Sequence, residues 1–119
     1  MADRPTVKEV ADESTHIIKI IYDSKYGGQK TEMIDLPSDT SIERQSKLAR
    51  ILLDDFNIRL GFSRRGGCIP VKVVAAGRPY VAAYMYIFLE KDKSYISSIF
   101  SIKDSTVDQY FSDIISQRR

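Results

Sequence analysis

The stretch "YVAAYMYIFLE", residues 80 to 90, places the tightest limit on how this chain can fold. Its apolar run, Val81 to Leu89, is far short of the roughly 20 residues that span a bilayer, so it is expected inside a folded core rather than in a membrane. Read at the two-residue period of a strand, Val81, Ala83, Met85, Ile87 and Leu89 share one face. Tyr80, Ala82, Tyr84, Tyr86 and Phe88 share the other. Both faces are apolar, so each needs a covering. Helices can cover the first, while the second presents three tyrosines and a phenylalanine to another part of the chain, to a second protein or to a ligand.

The flanking sequence supplies partners. From Cys68 the chain reads "CIPVKVVA", "AGRP", "YVAAYMYIFLE", "EKDK" and "SYISSIFSI", which predicts three strands and two turns, the first strand near an edge because Pro70 cannot donate to a ladder. Upstream, "THIIKIIYD" and "KTEMIDL" around "SKYGGQ" predict a β-hairpin whose loop uses Gly27 and Gly28. After Pro37, Thr40 with Glu43 three residues on has the pattern of a capping box. The helix it starts has an apolar stripe of Ile42, Ala49, Leu52, Leu53, Phe56 and Leu60, with Glu43, Lys47, Arg50 and Asp54 opposite. Gly61 sits where a C-terminal glycine ends a helix. Finally "DSTVDQYFSDIISQRR" spaces Val107, Tyr110, Phe111, Ile114 and Ile115 as one face of a second helix, capped by Asp104 or Ser105.

The expected order is therefore β-β-α-β-β-β-α, an α+β two-layer sandwich with an antiparallel sheet and both helices on one face. Residues 1–14, with Pro5 and many charges, read as a flexible N-terminal arm, and 15–119 as one domain. The α-β-β-β-α run from Thr40 resembles the order of a double-stranded RNA-binding domain, but "DSTVDQY" is acidic where that family places lysines on phosphate. "GRPYVAAYMY" is similar to the aromatic strand of an RNA-recognition motif, yet it lacks the internal glycine and the domain order differs. No family is assigned on these grounds.

Charge adds a direction. The net charge is only +2, but residues 1–55 carry 8 Lys and Arg against 11 Asp and Glu, and residues 56–119 carry 10 against 5. Arg59, Arg64, Arg65, Lys72 and Arg78 cluster around the aromatic stretch. This favours a small non-enzymatic nucleic-acid-binding domain for single-stranded or irregular RNA or DNA. The five cations would hold phosphates, and Tyr80, Tyr84 and Tyr86 would stack on bases. The alternative is a protein-interaction or homodimer module that buries the same aromatic face. In "GFSRRGGCIP", Gly66 and Gly67 would let backbone N–H groups approach phosphate, but the Lys-Ser/Thr ending of a P-loop is missing. An exposed turn, with arginines at the negative end of the preceding helix, explains it equally.

Chemistry is thinly represented. His16 is the single histidine and Cys68 the single cysteine, which argues against zinc and against a disulfide within the chain. Asp54 and Asp55 project about 100° apart on a helix, which suits solvation better than a shared metal. No catalytic residue, metal or cofactor is expected. The first residues lack an apolar signal core, so a cytoplasmic location is expected.

Overall fold

Alternation in "IIKIIYD" builds the centre of a three-stranded antiparallel sheet of order β1-β2-β3. The computed structural model describes residues 6–14, 17–23, 27–56 and 69–117. In β2 (Ile17–Asp23), Ile18, Ile20 and Tyr22 point inward; in β3 (Gln29–Asp35), Glu32 and Ile34 do. The register pairs Ile18 with Ile34 and Ile20 with Glu32, so the inward residues of both strands lie on one face. Gly27 and Gly28 have φ of 99° and 78°, the left-handed region that favours glycine. Residues 6–14 of the expected arm form β1 (Thr6–Ser14), antiparallel to β2 with irregularities at Val7/Glu9 and Asp12/Ser14.

Helix α1 (Ile42–Asp55) starts one residue later than the capping box suggested. Ser41 is the N-cap, its hydroxyl accepting from the Arg44 N–H at 3.3 Å. Leu48, Ala49, Leu52, Leu53 and Phe56 are buried, and Arg50 meets Asp54 at 3.4 Å on the exposed side. The helix ends at Asp55 with Phe56 as its C-cap. The C-terminal glycine assigned to Gly61 lies outside the described residues.

The expected strands after Cys68 are helices, and the two-layer sandwich is thereby overturned. They are α2 (Val71–Ala76), α3 (Arg78–Phe88) and α4 (Lys93–Phe100), followed by α5 (Asp104–Gln117). Breaks fall at Gly77 and within residues 89–92, where turns were expected, but Pro70, expected inside a strand, begins a helix. Pro70 precedes α2 as its N-cap, Gly77 with φ of 111° separates α2 from α3, and Pro79 stands in the first turn of α3. Every residue from Ala82 to Phe88 is buried. A helix enclosed on all sides is apolar all round, so its sequence shows the same two apolar faces as a buried strand.

Helix α3 is the centre of the molecule, packed against α1, α2, α4 and α5. Its inward residues join Ile18, Ile20 and Ile34 from the sheet, Leu48 and Leu52 from α1, Ile96 from α4, and Val107, Phe111 and Ile114 from α5 in one apolar core. Among the described residues no helix is long and apolar enough to cross a membrane.

Candidate nucleic-acid interface

The described residues among those expected to hold a nucleic acid are scattered. Arg59, Arg64 and Arg65 lie outside the described residues. Lys72 on α2 and Arg78 at the start of α3 are exposed, and the Arg78 guanidinium lies 5.6 Å from the Phe100 ring centroid. Tyr80 is half-buried, edge-to-face with Phe56 at 5.4 Å. Tyr84 and Tyr86 retain 3% and 0% of their accessible surface. Neither can offer a ring face to a base or to a second subunit, because a helix turns the rings that a strand would align onto neighbours within the chain.

Tyr86 instead anchors the core. Its ring packs on Phe111 at 4.8 Å, its hydroxyl donates to Asp39, and it accepts from Gln45 Nε2 at 2.8 Å. The same Gln45 nitrogen donates to the Pro37 carbonyl at 2.7 Å, and the other Asp39 oxygen accepts from the Lys93 backbone N–H at 3.1 Å. One carboxylate and one amide thus tie the approach to α1 to both α3 and α4. Burial, and then the hydrogen bond to Asp39, push the phenol well above its ordinary range.

Exposed polar chemistry gathers on α4 and α5, next to this network. Helix α4 begins at Asp92, whose carboxylate accepts from the Tyr95 N–H at 2.8 Å, and runs for 8 residues. Ser101 then adopts a left-handed conformation (φ 56°, ψ 46°). The Ile102 N–H bonds back to the Ser97 carbonyl at 3.0 Å, and the Ser101 N–H to the Ser98 carbonyl at 3.3 Å. This is a Schellman ending, which turns the chain within residues 101–103. Helix α5 starts at once, the Lys103 carbonyl accepting from the Thr106 and Val107 N–H groups. The half-buried Phe100 and Ile102 pack on the core to either side of the turn.

Side chains lock the two helices together. The Ser97 hydroxyl, almost buried, lies 2.5 Å from an Asp104 oxygen and 3.0 Å from the Ser94 carbonyl. On α5, Asp108 shares one oxygen between Arg44 of α1 (2.9 Å) and Lys93 of α4 (3.0 Å). Arg44 also reaches the Ser112 hydroxyl at 2.9 Å. The hydrogen bond from Lys93, and then that from Arg44, hold the Asp108 carboxyl below its ordinary range against the opposing effect of burial. Asp108 is therefore matched by two cations and adds no uncompensated negative charge to α5.

Helices α4 and α5, joined by a tight three-residue turn, pack on each other and on α3. Around α5, Val107, Phe111 and Ile114 face the core. Ser105, Gln109, Ser112 and Ser116 lie on the opposite side at spacings of four, three and four residues, with Asp113 beside them. The exposed side chains there are Ser105, Gln109, Asp113 and Ser116, while Ser112 is half-buried against Arg44 of α1. Lys103 stands exposed before α5, and Lys91 lies 4.9 Å from the ring of the exposed Tyr95.

Sequence reasoning missed this unit because α4 was read as a strand. Its signal was Ile96, Phe100 and then Val107, at helical intervals on either side of "SIKD", together with a small residue, Ser97, where the helices meet. No family model matches this chain, and no curated protein or solved structure matches it. Among the described residues no three His, Cys, Asp or Glu side chains gather as a metal site.

Proposed function

We propose that this chain is a duplex-DNA-binding domain that lays α5 in the major groove, with the start of α4 against the sugar-phosphate backbone. The observation that carries this reading is the α4-turn-α5 unit with its exposed Ser105, Gln109 and Ser116. A major groove about 12 Å wide admits one helix, and short polar side chains let it approach the base edges. Lys103 and Lys91 flank these side chains as phosphate contacts. Stacking of bases on Tyr84 and Tyr86 is not part of this reading, because both lie inside the core.

The test is fluorescence anisotropy with a labelled mixed-sequence duplex and the matching single strand, at low and at physiological salt. Duplex binding should exceed single-strand binding and weaken with salt, and Lys103→Gln should reduce the slope of log K against log salt by about 1. Equal or stronger binding of the single strand would reject the major-groove arrangement.

A second reading has its own observation. Helix α2 exposes Val71 at 83% and Val74 at 55%, and apolar side chains so open suit a protein contact. Because helix-turn-helix domains commonly bind DNA as pairs, self-association through α2 would complement the first reading. Sedimentation velocity of the wild type and of Val71→Asp tests it. A dimer lost in the variant supports it, and a monomer at high concentration rejects it.

A further inference from the structure

The sheet has two edges, and they are unlike. Strand β1 is interrupted at Val7/Glu9 and at Asp12/Ser14, and it is the strand that α1 packs against. Strand β3 pairs all 7 of its residues with β2 without a break. Among the described residues no strand lies beside its outer edge. Gln29, Lys30, Thr31, Met33 and Asp35 are exposed, Met33 at 46%. A regular edge of this kind presents backbone N–H and C=O groups with which a further strand can pair, whereas irregularities and covering elements protect an edge from pairing.

Charge decides which strand fits. Glu32 and Ile34 face the core, and alternation puts Lys30 on the same side of the sheet. A second copy of β3, antiparallel and related by a two-fold axis perpendicular to the sheet, keeps that side common to both copies only where the axis passes through a residue position. At Glu32 the axis would set two like charges opposite each other. At Met33 it would set Lys30 against the buried Leu36, and Gln29 against Pro37, which has no N–H. At Thr31 it sets Lys30 against Glu32 of the second copy twice, Gln29 against Met33, and the two Thr31 side chains against each other. Opposite charges and threonine pairs are cross-strand combinations that stabilise a sheet. Lysine on an edge ordinarily deters pairing. Here it selects the register.

We propose that β3 joins a second copy of this chain edge to edge, in the register centred on Thr31, to make one continuous sheet with the helices of both copies on the same side. The occupant is a second copy because one short strand supplies both the cation and the anion that must face each other, as a two-fold interface requires. The interface uses neither α5 nor α2, so it stands or falls apart from duplex binding and from the exposed Val71 and Val74.

The experiment is sedimentation velocity of the whole chain over a range of concentrations. The wild type should form a dimer as concentration rises. Lys30→Glu, at an exposed position, replaces both ion pairs with facing carboxylates and should raise the dimer Kd at least about 10-fold. Adding Glu32→Lys to that variant restores the pairs and should return the Kd to within about 3-fold of the wild type. Val71→Asp should leave the Kd unchanged. The register is read separately in a chain carrying Cys68→Ser, so that it stays measurable if Glu32→Lys does not fold. Thr31→Cys should form a disulfide between copies under mild oxidation, because positions directly opposite hold their Cβ atoms about 4.5 to 5.5 Å apart. Met33→Cys should not, since four residues of offset put it about 14 Å from its copy. Circular dichroism checks that each variant is folded.

A monomer at every concentration overturns the proposal and leaves the duplex reading standing. A dimer lost in Val71→Asp but indifferent to Lys30→Glu also overturns it and assigns association to α2. Crosslinking through Met33→Cys in preference to Thr31→Cys overturns the register.

Discussion

Tyr86→Phe removes one oxygen from the centre of the molecule, and its cost follows from what that oxygen touches. The side chain has no accessible surface, and its hydroxyl bridges Asp39 and Gln45. Asp39 is exposed, so water can replace the lost donor there. Gln45 is fully buried, and its Nε2 loses the Tyr86 oxygen while it retains the Pro37 carbonyl. A lost neutral hydrogen bond costs about 0.5 to 1.5 kcal/mol, and one to a charged group somewhat more. A net loss of about 2 kcal/mol is expected. With a urea m-value of about 1.5 kcal/mol/M for a chain of this size, the unfolding midpoint falls by about 1.3 M. Urea unfolding followed by far-ultraviolet circular dichroism measures it. A midpoint within about 0.2 M of the wild type would refute the reasoning, because it would mean that the hydroxyl is solvated and the ring is on the surface. The sign of the pH effect is fixed as well. A phenol raised in the fold stabilises fully below its ordinary value of 10.0 and loses that contribution as pH climbs toward its folded value. The wild type should lose stability above about pH 10 more steeply than Tyr86→Phe.

Three further outcomes can be measured on the same apparatus. Ser101 holds a left-handed conformation that favours glycine, so Ser101→Gly should raise stability by about 0.5 to 1 kcal/mol and leave DNA affinity unchanged, whereas a loss of stability would disprove the turn. The lowered Asp108 carboxyl stabilises above its ordinary value of 3.8, and that contribution is lost as pH falls through the folded value. Urea midpoints below about pH 4 should therefore drop more steeply for the wild type than for Asp108→Asn, and identical acid profiles would dismiss the Arg44 and Lys93 pairing. A double-mutant cycle of Arg44→Ala and Asp108→Ala should give a coupling of about 0.5 to 1 kcal/mol, and zero coupling would reduce the pair to a surface accident.

The hairpin, α1 and α5 were legible because each has one wet face. Ile18 and Ile20 alternate with half-exposed neighbours, and Val107, Phe111 and Ile114 recur every three or four residues. Tyr80 to Leu89 has no wet face to set a period, so its β-branched and aromatic residues suggested a strand while its surroundings impose a helix. That single misreading carried the function with it. Aligned on a strand, Tyr80, Tyr84 and Tyr86 form a platform; wound on a helix, they disperse into Phe56, Phe88 and Phe111. The α4-turn-α5 unit was hidden for a related reason. Tyr95, Ser97, Ile99 and Ser101 alternate in polarity, yet Tyr95 and Ile99 are the exposed pair and Ile96 the buried one. Exposed apolar residues on a short helix invert the pattern that identifies a strand's inner face.

The most direct test of α5 as a groove-binding helix is a two-dimensional amide spectrum of the labelled protein titrated with a mixed-sequence duplex. Shifts concentrated at Lys103, Ser105, Gln109 and Ser112, with weaker ones at the start of α4, are the expected result. Shifts confined to the sheet or to α2, or a spectrum unchanged by saturating duplex at low salt, would contradict it.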